Sequence, residues 1–390
     1  MNIETTVAPP TLVRFAPLVA VVFLGMLTIG IPLPVLPAQV HGALGYGTVM
    51  VGWVIGCQSF ATVLTRRVAG GICDARGSKQ SVLLGLPCAA VAGVLYLLSS
   101  WAAANAAVSL AVLVAGRLVL GFAESLLLTG TMTWGFARVG AAQTGRVMAW
   151  QGIAMYAALA AGGPIGLAIE RAGGFAAVAW AAIAVPLAAL AIAAALPGVP
   201  ASGGRRRQSF LGVIGRVWQP GAALALGTVS VGALTAFVTL DFAARGWHGA
   251  GYAFLGFGGG YILVRLFLAH LPDRIGGRVV TAWSLLIEAA GQIVMWAAPA
   301  SWVALAGALL TGIGFSLVFP GMGVEAMRRA PPEARGLAVG AYIAFFDIAI
   351  GTAGPVCGVV AAAFGYPAVF LAGAAAALGA IALSLGLRRV

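Results

Sequence analysis

The chain has 390 residues, of which 61% are hydrophobic and only 8% are charged. A soluble domain carries roughly 25% charged residues, so a water-soluble enzyme, a DNA-binding domain, a secreted scaffold and a disordered chain are excluded as the main interpretation. The net charge of +12 comes from short basic clusters between long apolar runs, which does not favour nucleic acid as a partner. The composition predicts an integral membrane protein.

The apolar runs are long enough to cross a bilayer, which takes about 20 residues of helix. The first run is longer than the ~7–15-residue core of a signal peptide, so we expect it to be retained. The runs are apolar all round and do not alternate, which predicts an all-α integral membrane fold and not a barrel. Twelve spans are predicted: 15–38, 48–72, 80–99, 105–135, 146–169, 174–196, 219–243, 250–271, 279–298, 301–324, 337–362 and 367–387.

The basic residues between the spans are distributed unevenly. Sixteen of the 22 Lys and Arg residues fall on one side of the predicted membrane, and only Arg171 and Arg245 fall on the other. Because cytoplasmic loops carry an excess of Lys and Arg, we expect both termini to be cytoplasmic.

The longest polar connection, which contains PGVPASGGRRRQ, lies near the middle of the chain. It divides the spans into two sets of six, as a flexible basic linker would. The predicted organisation is a cytoplasmic tail (1–14), an N-terminal half (15–196), a cytoplasmic linker (197–218) and a C-terminal half (219–390).

The two halves share a pattern of glycine and proline. Gly116 and Gly307 are 191 residues apart, and so are Pro164 and Pro355. A shared offset in two different helices indicates a duplicated half, as in transporters that are built from repeats.

Two loops that follow spans 2 and 8 combine glycine, a carboxylate and guanidinium groups. Such a loop turns tightly on glycine and is able to bridge helix ends by charged hydrogen bonds. The candidate gating residues are Gly70, Asp74, Arg76 and Gly77 in the first loop, and Asp273, Arg274, Gly276 and Arg278 in the second.

The pattern GxxxD-x-R-G of the first loop, repeated more loosely in the second, resembles the signature loop of the major facilitator superfamily. Ala75 replaces the usual basic residue, and Ala269 replaces the glycine of the second copy. The spans, the linker and both loops fall where that superfamily has them, so the resemblance covers the whole chain. The segments IPLPVLP, GRVMAWQGIAMY and GFSLVFPGMG resemble the arabinose-efflux-type (YhhS-like) branch, whose members are largely uncharacterised proton-linked exporters.

This resemblance implies a monomeric secondary transporter of the bacterial inner membrane, with a small-molecule substrate, protons and membrane lipids as its partners. A facilitator or an importer in the same fold remains an alternative, and a polytopic membrane enzyme is a more distant one. No Walker-type phosphate loop is present, so ATP is not expected as the energy source. The scattered cysteines and histidines predict neither a metal site nor a cofactor.

Four charged residues inside spans are candidates for proton coupling, because an ionisable group in the membrane is costly and is usually retained for transport. Arg117 and Gly121 match the RxxxG motif of proton-coupled members of the superfamily. Glu124 lies two turns after Arg117 on the same helix face, and the alternative is a structural ion pair between them. Asp347 is ranked first because its own span has no basic neighbour; the alternative is a partner arginine on another helix. Glu288 is the fourth candidate, with packing or pairing as its alternative role.

Two further groups are expected to contribute to packing and to the cavity. Span 5 approximates the GPxxG antiporter motif of exporters and span 11 contains it in full; both are equally compatible with close packing of spans. The aromatic residues of cavity-forming spans are able to stack on a substrate. The packing residues are Gly163, Pro164, Gly354, Pro355 and Gly358, and the cavity candidates are Trp150, Tyr156 and Tyr342.

Overall fold

The structure is a computed structural model that describes residues 11–139, 144–199, 210–330 and 335–387. Within these ranges its regular elements are helices, together with one π-helical turn at Gln39–Ala43. The basic linker residues 205–207 and the tail residues 388–389 lie outside the described residues. The helices are α1 (Thr11–Gly30), α2 (Leu36–Ala38), α3 (Thr48–Arg76), α4 (Ser78–Trp101), α5 (Ala106–Val139), α6 (Thr144–Ala195), α7 (Phe210–Ala244), α8 (Gly251–Leu268), α9 (Leu271–Ile275), α10 (Gly277–Ala297), α11 (Ser301–Phe315), α12 (Val318–Arg329), α13 (Arg335–Phe364) and α14 (Pro367–Leu385).

Ten helical segments of the described chain are long and apolar enough to cross a membrane. One of them, α6, bends at Gly173 and Gly174, where the backbone leaves helical geometry, and therefore has a first arm (144–172) and a second arm (175–195). A shorter apolar helix, Phe15–Gly30, adds to this set.

Two predicted boundaries differ from those observed. The span predicted at 15–38 ends as a helix at Gly30, because Pro32 and Pro34 lack the N–H groups that would continue it. The helix predicted to begin at residue 219 begins at Phe210, within the segment expected to be linker.

The two halves repeat one packing scheme. In the first half α5 packs against α3 and α4, and α6 packs against α1 and α4. In the second half α11 packs against α8 and α10, and α14 packs against α7 and α10. The halves meet where α3 contacts α13 and where α6 contacts α8.

Glycine contacts fix the register of the repeat. A Cβ on Gly121 of α5 would overlap the carbonyl oxygen of Gln58 on α3, and a Cβ on Gly312 of α11 would overlap that of Phe257 on α8. Gly121 and Gly312, which are 191 residues apart, therefore make the same kind of helix contact in the two halves.

The interface between the halves depends on close backbone approach. A Cβ on Gly354 would overlap the carbonyl oxygen of Gly52, and one on Gly163 would lie 2.7 Å from the carbonyl oxygen of Gly251. Both contacts lie near the first residues of α3 and α8, at the end of the bundle opposite the linker. The GPxxG-like segments thus lie at both junctions between the halves.

Candidate functional site

Arg117 and Glu124 both bond to α3 and not to each other. The Arg117 side chain is buried and donates from Nε to the carbonyl oxygen of Val54 at 3.0 Å and from Nη2 to that of Ile55 at 2.9 Å. The Oε2 atom of Glu124 accepts from Gln58 Nε2 at 2.9 Å. The alternative of an Arg117–Glu124 ion pair is therefore wrong, since separate partners on α3 hold each group.

Asp347 has a basic partner that its own span does not supply. Its carboxylate forms an ion pair with Arg66 of α3, and the two side chains are 10% and 24% exposed, respectively. The expectation of an isolated carboxyl was wrong, and the alternative of an arginine on another helix is correct. Because the arginine belongs to the first half and the carboxylate to the second, the pair joins the halves.

Glu124 lies close enough to Asp347 for the two carboxylates to interact electrostatically. Thr62 Oγ1 also donates to Glu124 Oε2, at 3.0 Å. We call this group of side chains, at the junction of α3 and α13, the ionic crossing; it consists of Arg66, Asp347, Glu124, Gln58 and Thr62.

Glu288 lies inside the second half and not between the halves. It is fully buried on α10 and accepts a hydrogen bond from Ser230 Oγ of α7, while its Oε2 has no hydrogen-bond partner in the described part of the chain. One turn later, Gln292 Nε2 donates to Thr311 Oγ1 at 3.2 Å. This position agrees with a role within the second half.

The candidate cavity aromatics have different surroundings. Tyr156 of α6 stacks on Tyr261 of α8, with ring centroids 3.8 Å apart. Tyr342 of α13 is buried and donates to the carbonyl oxygen of Phe319 at 2.6 Å. Trp150 is half-buried and packs in a separate apolar cluster of the first half.

The stacked tyrosines belong to a second group of side chains at the junction of α6 and α8. The ring centroid of Tyr156 lies 5.9 Å from that of Phe257 and 6.2 Å from that of Phe315. Arg265 Nη2 donates to the hydroxyl oxygen of Tyr261 at 2.8 Å. We call this group the aromatic crossing; it consists of Tyr156, Tyr261, Phe257, Phe315 and Arg265.

The two crossings occupy equivalent positions of the repeat. Gly52 and Gly251, which make equivalent contacts between the halves, are 199 residues apart, and so are Arg66 and Arg265. The offset of 191 that relates α6 to α13 relates Tyr156 to Asp347. One crossing therefore pairs an arginine with a carboxylate where the other has an arginine and a tyrosine.

The two motif loops also have matching contacts. Both turn on glycine in the left-handed region, with φ of 91° at Gly77 and 94° at Gly276. Lys79 Nζ donates to the carbonyl oxygens of Ala194 and Leu196 at 2.8 and 2.6 Å, at the C-terminal end of α6. Cations are favoured at such helix ends.

In the second loop Arg278 donates to the carbonyl oxygens of Ser384 and Leu385, at the equivalent end of α14. These contacts lie within each half. The carboxylates of Asp74 and Asp273 are exposed, as are Arg76 and Arg274, and within the described ranges neither carboxylate has a hydrogen bond or an ion pair. Gly70 has open space around the position of a Cβ.

Sequence reasoning missed Arg66 and Arg265 as functional candidates. The positions of both arginines near the ends of predicted spans favour side chains that extend toward the membrane surface. The signal that would have found them is the second offset of 199, which becomes visible only once spans 2 and 8 are aligned separately from spans 4, 5, 10 and 11.

Two packed halves of apolar helices with charged side chains between them define a multi-pass membrane transporter. The sequence profile of the Major Facilitator Superfamily matches residues 222–390. The chain is 43% identical over 372 residues to an uncharacterized MFS-type transporter of Salmonella typhimurium, covering 95% of each chain. It is 44% identical over 375 residues to one of Burkholderia mallei, covering 96% of this chain and 92% of that protein. The chain belongs to the major facilitator superfamily.

Solved structures share the fold at low sequence identity. The human organic anion transporter MFSD10 superimposes with a TM-score of 0.73 at 17% identity, over 97% of this chain and 100% of that one. The nucleoside transporter NupG superimposes with a TM-score of 0.76 at 14% identity, over 96% and 100%. The relatives and the structural neighbours are transporters and not enzymes, which confirms the expectation that this chain is a transporter and not a membrane enzyme.

Proposed function

We propose that the protein exports a small organic molecule in exchange for protons, by alternating access of its two halves. The observation that carries this proposal is the ion pair between Arg66 and Asp347, which links α3 of the first half to α13 of the second. Secondary transport needs an ion-binding group whose state depends on how the halves are arranged. A carboxylate held by the opposite half meets that need.

The proton and the arginine compete for Asp347. Protonation removes the negative charge of Asp347 and with it the Coulomb attraction that holds Arg66. The α3–α13 junction is then weaker, which favours rearrangement of the halves. Glu124 is second in rank as the proton carrier, because it interacts with Asp347 but bonds within the first half. Arg117 serves as a positioning residue that holds the carbonyl groups of α3.

The close glycine contacts at Gly52 and Gly251 favour an arrangement that is closed at the end opposite the linker. With the linker in the cytoplasm, this is the inward-open form. We propose that the two motif loops close the cytoplasmic end in the outward-open form, and that Asp74 and Asp273 then find partners across the halves.

The proposal includes twelve spans with both termini in the cytoplasm of a bacterial inner membrane, and a monomeric transporter. The asymmetry of basic residues supports it, as does the bend of α6 at Gly173 and Gly174 into two arms. Reporter fusions after the C-terminal residue and after Gly173 should report opposite sides of the membrane. Reporters on the same side would contradict this topology.

The outward direction of transport rests on the GPxxG segment at Gly354–Gly358 and on the resemblance to the arabinose-efflux-type branch. Purified protein in liposomes with an internal pH-sensitive dye is the test, with a panel of sugars, organic acids and organic cations as probes. An exporter that exchanges protons moves them opposite to the substrate. Movement of both in the same direction identifies a symporter, and substrate flux without proton flux identifies a facilitator; either result rejects the proposal.

A further inference from the structure

At the aromatic crossing an arginine of the membrane-spanning region lacks the carboxylate that its counterpart has. Arg66 pairs with Asp347, whereas at the equivalent positions Arg265 has Tyr156. In the described part of the chain, no Asp or Glu oxygen lies within 4 Å of the Arg265 guanidinium. A cation in an apolar bundle is costly unless an anion compensates it.

The contacts of Arg265 leave part of its hydrogen-bonding capacity unused. Nη2 donates to the hydroxyl oxygen of Tyr261, and the guanidinium carbon lies 5.1 Å from the centre of that ring. Nε is buried and has no hydrogen-bond partner among the described residues. The guanidinium thus lies beside the ring of Tyr261, which stacks on Tyr156 of the other half. A planar donor group of this kind matches a carboxylate.

The carboxylate of Glu288 does not supply the missing anion. Glu288 is fully buried and accepts a hydrogen bond from Ser230 inside the second half. Arg265 of the aromatic crossing therefore has no paired carboxylate among the described residues.

The rings next to Arg265 and Tyr261 form a continuous, buried aromatic cluster. Tyr156 and Tyr261 stack at 3.8 Å, and Phe315 lies between them and Phe346, which is 6.4 Å further on. Offset and edge-to-face contacts at these spacings favour another aromatic ring over an aliphatic group of similar size. Because α6 belongs to one half and α8, α11 and α13 to the other, a ring held here would contact both halves.

We propose that the aromatic crossing binds a planar aromatic carboxylate, whose carboxylate pairs with Arg265 and whose ring packs against Tyr156, Tyr261 and Phe315. This rests on the proposed function, in which the same junction opens and closes during transport. The two equivalent arginines then have divided tasks: Arg66 holds the proton-binding carboxylate, and Arg265 holds the substrate carboxylate.

The test measures binding, not transport, with 2-naphthoate as the probe. Its uncharged analogue 2-naphthamide lacks the negative charge, and decahydro-2-naphthoate lacks the aromatic rings. Calorimetric titration of the purified protein in detergent without added phospholipid should show 2-naphthoate binding at least about tenfold more tightly than either analogue, as expected for a charge-assisted hydrogen bond and a ring contact.

Two variants separate the contributions of charge and ring. Arg265→Gln should abolish the preference for naphthoate over naphthamide, and Arg265→Lys should retain part of it. Tyr261→Leu should abolish the preference for naphthoate over its saturated analogue. Arg216→Gln is the matched control, because Arg216 is exposed on α7, and it should change neither preference. Elution as a single folded species by size exclusion is required of every variant.

Three results would overturn the proposal: wild-type protein that binds none of the probes, wild-type protein that binds all three equally, or Arg265→Gln protein that retains the wild-type preference. A fourth result would also reject the proposal. If added anionic phospholipid competes with naphthoate, and the protein does not prefer the aromatic probe to the saturated one, Arg265 binds lipid headgroups. Proton exchange is tested separately, because the binding assay measures the affinity for naphthoate and involves no proton flux. Binding without coupled proton flux would reject only the proposed exchange.

Discussion

At the ionic crossing an arginine of α3 pairs with a carboxylate of α13, whereas at the aromatic crossing the equivalent arginine of α8 bonds to Tyr261 of its own helix, which stacks on Tyr156 of α6. Glycine contacts bring the helices together at both crossings. The chemistry has therefore diverged while the packing has been kept.

This divergence has a consequence for coupled exchange. If both crossings carried a carboxylate, each would respond to protonation and the substrate would compete at both. In the proposed exchange, with the carboxylate at one crossing only, protonation weakens one junction of the halves and leaves the other to the substrate. The two junctions of the proposed transporter would then respond to different ligands.

The largest expected effect comes from removing the carboxylate of the ionic crossing. Asp347→Asn should abolish accumulation driven by a pH difference and should still permit exchange of substrate down its own gradient, because the neutral amide mimics a permanently protonated group. Flux of the substrate identified by the liposome panel, measured with and without an imposed pH difference, checks this. Glu170→Gln, outside both crossings, is the control.

Concentration of substrate by the Asp347→Asn protein against a gradient would exclude Asp347 as the carrier. If Glu124→Gln gives the uncoupled behaviour instead, coupling resides in the first half and Asp347 is only the structural partner of Arg66. Either result would remove the functional contrast between the two crossings.

The second prediction compares the stability effects of the two equivalent arginines. Arg66→Gln should lower the free energy of unfolding by about 2 kcal/mol, because it leaves a largely buried carboxylate without its partner; fully buried pairs lose roughly 3–5 kcal/mol. Arg265→Gln should cost less or even stabilise the protein, since no carboxylate is left unpaired. Thermal unfolding in detergent measures both.

Adding Asp347→Asn to Arg66→Gln should recover part of the loss, because the double variant buries no unpaired charge. Equal losses in the two single arginine variants would show that Arg265 has a compensating anion within the protein. That outcome would remove the distinction between the crossings.

The third prediction tests whether the duplicated glycines are equivalent. Gly121→Ala and Gly312→Ala should each destabilise by about 1–3 kcal/mol, since a Cβ at either site overlaps a backbone carbonyl oxygen that has little freedom to move. Gly70→Ala is the matched control, because it lies in α3 with open space around it and gains up to about 1 kcal/mol of helix propensity. Markedly unequal losses at Gly121 and Gly312 would indicate that the halves do not pack alike.

The helical class could be predicted because it depends on local properties. Apolar run length and the distribution of basic residues identify the spans, and Gly77 and Gly276 mark two turns that the structure confirms. The partner of Asp347 could not be predicted, because Arg66 lies 281 positions away and only the packing of α3 against α13 brings it near. The partners of Glu124 could not be predicted either. Its spacing from Arg117 favours an ion pair, but in the structure Glu124 bonds to the Gln58 amide and Arg117 bonds to backbone carbonyl groups of α3.

The smallest expected effect concerns the two motif loops, whose basic residues have equivalent contacts while their carboxylates have none in the described chain. Asp74→Asn should slow turnover, because its proposed partners appear only when the cytoplasmic end closes. An exposed charge pair contributes about 0.5–1 kcal/mol, which corresponds to roughly a two- to fivefold change in rate. Asp273→Asn should have a smaller effect, since Ala269 replaces the motif glycine in its loop. Turnover per inserted molecule, with membrane levels measured in parallel, checks both.

Unchanged turnover of Asp74→Asn would mean that the carboxylate is a solvated loop charge. A larger effect at Asp273 would mean that the second motif loop contributes more to closing the cytoplasmic end.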